Sequence, residues 1–124
     1  MRVLRQAPTV YCDVDDTLIK WNYDSNKNYP NVRIDGIYYQ VNSHITTLLV
    51  ELKKRGHNIV VWSQSGSEWA EKVVRALLLH EVVDIVSPKP HIYLDDIANT
   101  NEWMGRHRYI TFDGDNINYK QVIE

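Results

Sequence analysis

Short, near-continuous apolar runs, separated by stretches of helical period, constrain this chain more than any other feature. Thr9 to Asp13, Ile59 to Ser63, Val82 to Val86 and Ile92 to Asp96 are such runs, and three of these four end in a carboxylate or a hydroxyl. Tyr109 to Phe112 is a further candidate. Runs of this kind suit strands buried on both faces, as in a parallel sheet, whereas a sheet wet on one side alternates apolar with polar residues. Between them, Ile45, Leu48, Leu49 and Leu52 fall on one helical face, with Ser43 as candidate N-cap, Lys53, Lys54 and Arg55 in the last turn, and Gly56 at the C′ position. A second helix is expected from about Ser67 to His80, with Trp69, Val73, Ala76 and Leu77 on its stripe and Ser65 and Glu68 at capping-box spacing. A short third helix is expected after Asp96, to about Gly105. Strand, helix, strand, helix in this order predicts right-handed βαβ crossovers and an α/β fold, a doubly wound parallel sheet of about five strands.

One stretch interrupts the alternation. Residues 19 to 42 are polar and aromatic, and within them Val32-Arg33-Ile34, Asp35-Gly36 and Ile37 to Val41 read as a hairpin closed by a two-residue type I′ turn. This β-hairpin flap would project from the carboxyl end of the first strand. With 124 residues, 44% of them hydrophobic, and no repeat or linker, one domain over 1–124 is expected, without a large second module. A net charge of −2 supplies no broad cationic field, so strong non-specific nucleic-acid binding is not expected and affinity for phosphate must arise locally. The single cysteine, Cys12, cannot form an internal disulfide and reads as a small buried hydrophobe. No apolar run approaches the length of a bilayer span and Met1 to Pro8 lacks a signal-type apolar stretch, so a cytoplasmic protein with no membrane partner is expected.

In open parallel sheets, ligands bind beyond the carboxyl ends of the strands. The residues there are Asp13 with Asp15, Ser63, Lys89, and Asp95 with Asp96. Four carboxylates against one ammonium, with the hydroxyls of Thr17 and Ser63, would form an unstable concentration of negative charge without a hard cation. An all-oxygen set of this type selects Mg²⁺, which commonly takes one or two carboxylates together with a substrate phosphate. A carboxylate facing such a phosphate can attack phosphorus, while a second carboxyl two residues away protonates the leaving oxygen. Asp13 and Asp15 have that spacing.

Asp13-Val14-Asp15-Asp16-Thr17-Leu18 after an apolar run resembles the first motif of the haloacid dehalogenase (HAD) superfamily. Val60-Val61-Trp62-Ser63, Lys89 in Ser-Pro-Lys-Pro, and Ile92-Tyr93-Leu94-Asp95-Asp96 resemble its second, third and fourth motifs, in order, over roughly residues 9 to 112. The resemblance implies a Rossmann-like fold and an HAD-type phosphoric monoester hydrolase forming an aspartyl phosphate. It assigns Asp13 as nucleophile and metal ligand, and Asp15 as general acid/base and ligand through its carbonyl. Thr17, Ser63 and Lys89 become phosphate-binding groups, Asp96 the direct fourth-motif metal ligand and Asp95 its outer partner, an order that could be reversed. The acid at Asp15 is the variant typical of phosphatases. Gaps too short for a large cap imply the capless class, whose open sites serve macromolecular substrates or borrow a neighbouring subunit as a lid. The phosphorylated substrate is therefore macromolecular or small, with a lean toward a nucleotide or nucleic-acid terminal phosphate, and an oligomer acting on small sugar phosphates is the alternative.

Blander readings stand beside these. An isolated Asp-x-Asp is commonly a solvated turn, Thr17 a turn former, and Lys89 a loop charge. Trp21, Tyr23, Tyr29, Tyr38 and Tyr39 on the flap either stack on a nucleobase or form cross-strand packing pairs, the latter being favoured. Lys20 and Arg33 are candidates for a second phosphate, while Trp62 and Trp69 read as packing residues with no chemistry. The five histidines show no metal-ligand spacing, and Asp113 with Asp115 reads as a solvated turn. Two other classes remain: a receiver-type phosphoacceptor, for which Ser63 occupies the place an acceptor Asp would need, and a binding module that keeps the fold without turnover.

Overall fold

A computed structural model of the chain describes residues 4, 6–98, 105, 107–110, 112 and 117–123. Two sheets form. β1 (Thr9–Asp13), β5 (Asn58–Ser63) and β6 (Ile85–Pro88) make a parallel three-stranded sheet in the order β1-β5-β6. β2 (Ile19–Lys20), β3 (Asn31–Ile34) and β4 (Ile37–Val41) make a separate antiparallel sheet in the order β2-β4-β3. Three helices complete the described structure: α1 (Ser43–Lys54), α2 (Ser67–Ala76) and α3 (Tyr119–Ile123). None of the described helices is long and apolar enough to cross a membrane.

β5 is the centre of the parallel sheet, and Ile59, Val60 and Val61 on it are almost wholly buried. That is the expected consequence of a continuous apolar run paired on both sides. The register aligns Asp13 with Trp62 and Ser63 with Pro88, so the carboxyl ends of the three strands lie together. α1 buries the anticipated face, Ile45, Leu48, Leu49 and Leu52. Its cap differs from the expectation: Asn42, not Ser43, precedes the helix, and the Asn42 side chain accepts a bond from the Ile45 amide. Asn is as good an N-cap as Ser, so only the backbone path out of β4 separates the two candidates. The other end closes as expected, with Gly56 at φ 93°, its amide bonding to Lys53 O and the His57 amide to Leu52 O.

The flap is a hairpin whose turn residues, Asp35 and Gly36, both have positive φ, as a type I′ turn requires. Gln40 is fully buried on β4, where it donates to Asp24 O and Lys27 O and accepts from the Asp24 amide. One side chain thus closes the irregular loop between β2 and β3. Asp35 at the turn accepts from Lys72 on α2, which ties the flap to the main body.

Several expectations are corrected. α2 stops at Ala76 rather than near His80, because Leu78 turns left-handed at φ 59° and the Leu79 amide bonds back to Val74 O. Val82 and Val83 then belong to a turn closed on Leu79 O, and the third parallel strand begins at Ile85, not Val82. Ile92 to Asp96 forms no strand: the stretch is irregular and exposed, with Leu94 at 95%. An apolar run becomes a strand only where an edge pairs with it, and none of the described strands pairs with this stretch. Tyr109, Ile110 and Phe112 are likewise outside any strand. Most of the helix expected before Gly105 falls at 99–104, and Asp113 and Asp115 also lie outside the described residues, but the described flanks 97, 98 and 105 are not helical. Three parallel strands and a detached antiparallel sheet therefore stand, among the described residues, in place of one five-stranded doubly wound sheet.

Candidate active site

β1 ends at Asp13 and the chain then doubles back tightly. The Val14 carbonyl accepts from the amides of Thr17, Leu18 and Ile19, while Asp16 adopts a left-handed φ of 60° that Asp tolerates better than most residues. Val14 and Leu18, fully buried, anchor the turn. Its result is that Thr17 Oγ1 donates to Asp13 Oδ2 at 3.2 Å. Directly after β6, Lys89 brings its ammonium 3.1 Å from Asp13 Oδ1, and the Lys89 amide donates to Ser63 O on β5. The Lys89 and Asp13 side chains are 30% and 32% exposed, open enough to meet a ligand and too open for the ion pair to be a large stabilising term. The Lys89 ammonium also lies 5.9 Å from the centroid of Trp62, whose ring packs on Tyr11.

Asp15 faces a different set of groups. Oδ2 accepts from Ser63 Oγ at 3.0 Å and Ser65 Oγ at 3.2 Å; Oδ1 accepts from Trp21 Nε1 at 2.5 Å and Trp69 Nε1 at 2.9 Å. Ser63 is fully buried and its hydroxyl oxygen also accepts the Ser65 amide. This corrects the reading of Ser65 as half of a capping box: Gly66, which has no side chain to cap with, occupies the cap position, and the Ser65 hydroxyl donates to Asp15 instead. Trp69, read as packing only, also reaches a carboxylate. The usable signal was chemical: a Trp near the start of a helix at the carboxyl edge of a sheet needs an acceptor for its N–H when half buried.

Asp13, Asp15, Thr17, Ser63 and Lys89 are thus gathered at one end of β1 and β5. Asp95 and Asp96 are not: both lie on the exposed stretch after β6, where Asp95 Oδ1 accepts from the Ile97 amide. No group of three or more His, Cys, Asp or Glu side chains is close enough to hold a metal ion among the described residues. Beside the site, a cleft of about 1440 Å³ runs along β1 from Asp13, Thr17 and Lys89 past Tyr93 to His57. Cys12, one residue before Asp13, is buried, and that burial, with the Asp13 charge beside it, pushes its thiol pKa up to about 12. A neutral thiol is a poor nucleophile, so Cys12 is excluded from the chemistry.

Of the flap aromatics, Tyr39 is buried, whereas Trp21, Tyr23 and Tyr38 are about half exposed. Arg33 lies over the Tyr38 ring and Lys20 over Phe112. Comparison with known protein families, curated proteins and solved structures finds no match.

Proposed function

We propose that the chain is a Mg²⁺-dependent phosphatase that hydrolyses phosphate monoesters through an aspartyl-phosphate intermediate. The observation that carries this reading is Asp13 at the end of β1, with an ammonium 3.1 Å from one oxygen and a hydroxyl 3.2 Å from the other. Lys89 and Thr17 supply positive charge and a donor where a phosphoryl group would arrive, and Asp15 stands two residues on. Asp13 attacks phosphorus as the bond to the leaving oxygen breaks, and Asp15 gives that oxygen a proton. Water then attacks the phosphorus of the acyl phosphate and loses a proton to Asp15, so that phosphate leaves and both carboxyl groups return to their starting state.

The donor set is all hard oxygen, which fits Mg²⁺. Asp13 and the Asp15 carbonyl would hold it at the end of β1, where the ion would neutralise phosphate charge; Asp95 and Asp96, which the sequence resemblance implies as its further ligands, stand apart on the exposed stretch after β6. The half-exposed Tyr23 and Tyr38 of the flap favour a nucleotide or nucleic-acid terminal phosphate over a sugar phosphate. A receiver module is disfavoured because Ser63, at the position of its acceptor, is buried and donates to Asp15.

The test is Mg²⁺-dependent phosphate release by wild type and Asp13→Asn on an aryl phosphate, nucleotides, a 3′-phosphorylated oligonucleotide and a phosphopeptide. Wild type should turn over and the variant should not, and the oligonucleotide or a nucleotide should be preferred. Absence of release from every substrate, despite Mg²⁺ binding, would overturn the enzyme reading. Mg²⁺ titrations of Asp95→Asn and Asp96→Asn would identify which acid binds directly.

A further inference from the structure

Asp15 accepts four hydrogen bonds, and the proton it needs as an acid can sit only on Oδ2, where the serine hydroxyls can turn to accept. A carboxylate offers about four acceptor positions, and this one receives two hydroxyls on Oδ2 and two indole N–H groups on Oδ1. The two kinds of donor differ physically. A serine hydroxyl rotates freely and can accept as well as donate, so Ser63 and Ser65 can adapt to whatever occupies Oδ2. An indole N–H only donates, and it cannot change direction unless the whole ring moves.

Both rings are held. Trp21 meets Tyr39 edge-on with centroids 5.6 Å apart and meets Trp69 at 5.6 Å, while Trp69 meets Tyr39 at 5.7 Å. Tyr39, at the centre of this trio, is 3% exposed on β4. The N–H groups are therefore aimed before any ligand arrives, the condition under which a hydrogen bond positions a group at no reorganisation cost. They also come from different parts of the fold. Trp69 lies in the first turn of α2, in the main body, and Trp21 follows β2, on the flap. The Trp21 amide is tied back to Asp16 Oδ1, which makes the turn after β1, Asp15 and the start of the flap one connected unit.

We propose that Trp21 and Trp69 are the positioning residues for Asp15: their indole N–H groups hold Oδ1, fix the side-chain rotamer, and make the orientation of Asp15 depend on where the flap sits. This rests on the phosphatase reading, in which Asp15 is the acid/base. Neither tryptophan touches the reacting atoms. Their effect should be felt in the step that needs a correctly aimed proton, and hardly at all in substrate capture.

Two measurements on the full chain separate this from ordinary aromatic packing. The first is independent of turnover. In ¹H–¹⁵N spectra, with indole signals assigned through Trp21→Phe and Trp69→Phe, Asp15→Ala should move the Nε1–H signals of both Trp21 and Trp69 upfield and leave that of Trp62 in place. Unmoved signals in a folded variant would overturn the clamp. The second is kinetic and uses Trp21→Phe, which keeps a ring against Tyr39 and removes the N–H. With an alkyl phosphate, whose leaving oxygen needs a proton, kcat should fall by about tenfold or more with KM unchanged. With p-nitrophenyl phosphate, whose leaving group departs unprotonated, kcat should change less than about twofold. An equal loss on both substrates, or a rise in KM alone, would mark the role as structural and overturn the proposal. If Trp21→Phe fails to fold, Trp69→Phe carries the same comparison from the other side of the carboxylate. Wild type without turnover on any substrate overturns the phosphatase reading and with it the catalytic part of the clamp, whereas unmoved indole signals in an active wild type overturn the clamp alone.

Discussion

Removing the Asp84 carboxylate should destabilise the chain far more than neutralising it. Asp84 precedes β6; Oδ1 lies 2.6 Å from Lys53 Nζ at the end of α1, and Oδ2 accepts the Ile59 amide at 2.8 Å. Ile59 is fully buried, so in Asp84→Ala its N–H loses a charged acceptor with no water to replace it. That loss is worth about 1.5–3 kcal/mol. The ion pair adds about 1 kcal/mol, since both side chains, 25% and 15% exposed, keep some solvent screening. Asp84→Ala should therefore cost about 2.5–4 kcal/mol, a large part of the 5–15 kcal/mol typical of a domain. Asp84→Asn keeps an oxygen for Ile59 but loses the pair and the charge on that acceptor, so about 1–2 kcal/mol is expected, against about 1 kcal/mol for Lys53→Met. The double variant Asp84→Asn, Lys53→Met should cost little more than Asp84→Asn alone, because both changes remove the same ion pair. Urea denaturation, read by circular dichroism, measures all four. If Asp84→Asn costs as much as Asp84→Ala, or Asp84→Ala costs under about 1 kcal/mol, the amide bond to Asp84 is not a principal tie between α1, β5 and β6.

Other consequences are more local. Leu78 sits left-handed at φ 59° and is 77% exposed, so Leu78→Gly should stabilise by about 0.5–1 kcal/mol in the same denaturation assay, whereas Leu78→Ala should not. Burial raises the Cys12 thiol from 9.0 to about 12, so above pH 9 the unfolded chain loses a proton that the folded chain retains. Stability should then fall as pH rises from 9 toward 12, by up to about 1.4 kcal/mol per unit, and Cys12→Ala should remove that slope. The same thiol should resist aromatic disulfide reagents at pH 8 until the chain is unfolded, and rapid native labelling would contradict its burial. On the proposed phosphatase reading, Lys89→Gln removes the ammonium beside Asp13 and should lower kcat/KM for phosphate release about a hundredfold with the melting temperature nearly unchanged.

The parts of the fold legible in the chain are those whose cause lies within a few residues. Thr9 to Asp13 and Ile59 to Ser63 carry their strand signal as uninterrupted apolar runs, and the face of α1 is written in the spacing of Ile45, Leu48, Leu49 and Leu52. Asp35-Gly36 specifies its own turn, because few other pairs accept positive φ at both positions. Failures occur where the same residues fit two local solutions. Val82 and Val83 are as apolar as a strand, but the left-handed Leu78 moves the ladder on to Ile85. Ile92 to Asp96 is apolar enough for a strand and lies exposed, since a strand needs a paired edge as well as a pattern.

For the candidate site the division follows chain separation. By itself the sequence determined that acids, hydroxyls and a lysine stand at the ends of apolar runs, which located Asp13, Asp15, Thr17, Ser63 and Lys89 at one edge of a parallel sheet. Only the tertiary structure decided that Asp15 meets Ser63 and Trp69 from 48 and 54 residues away, that Ser65 turns to it instead of capping α2, and that Asp95 and Asp96 stand apart. The reason is physical. Periodicity and turn chemistry are set by backbone sterics over a few neighbouring residues, whereas the aim of an indole N–H depends on the packing of rings from β4, α2 and the flap, which no local pattern records.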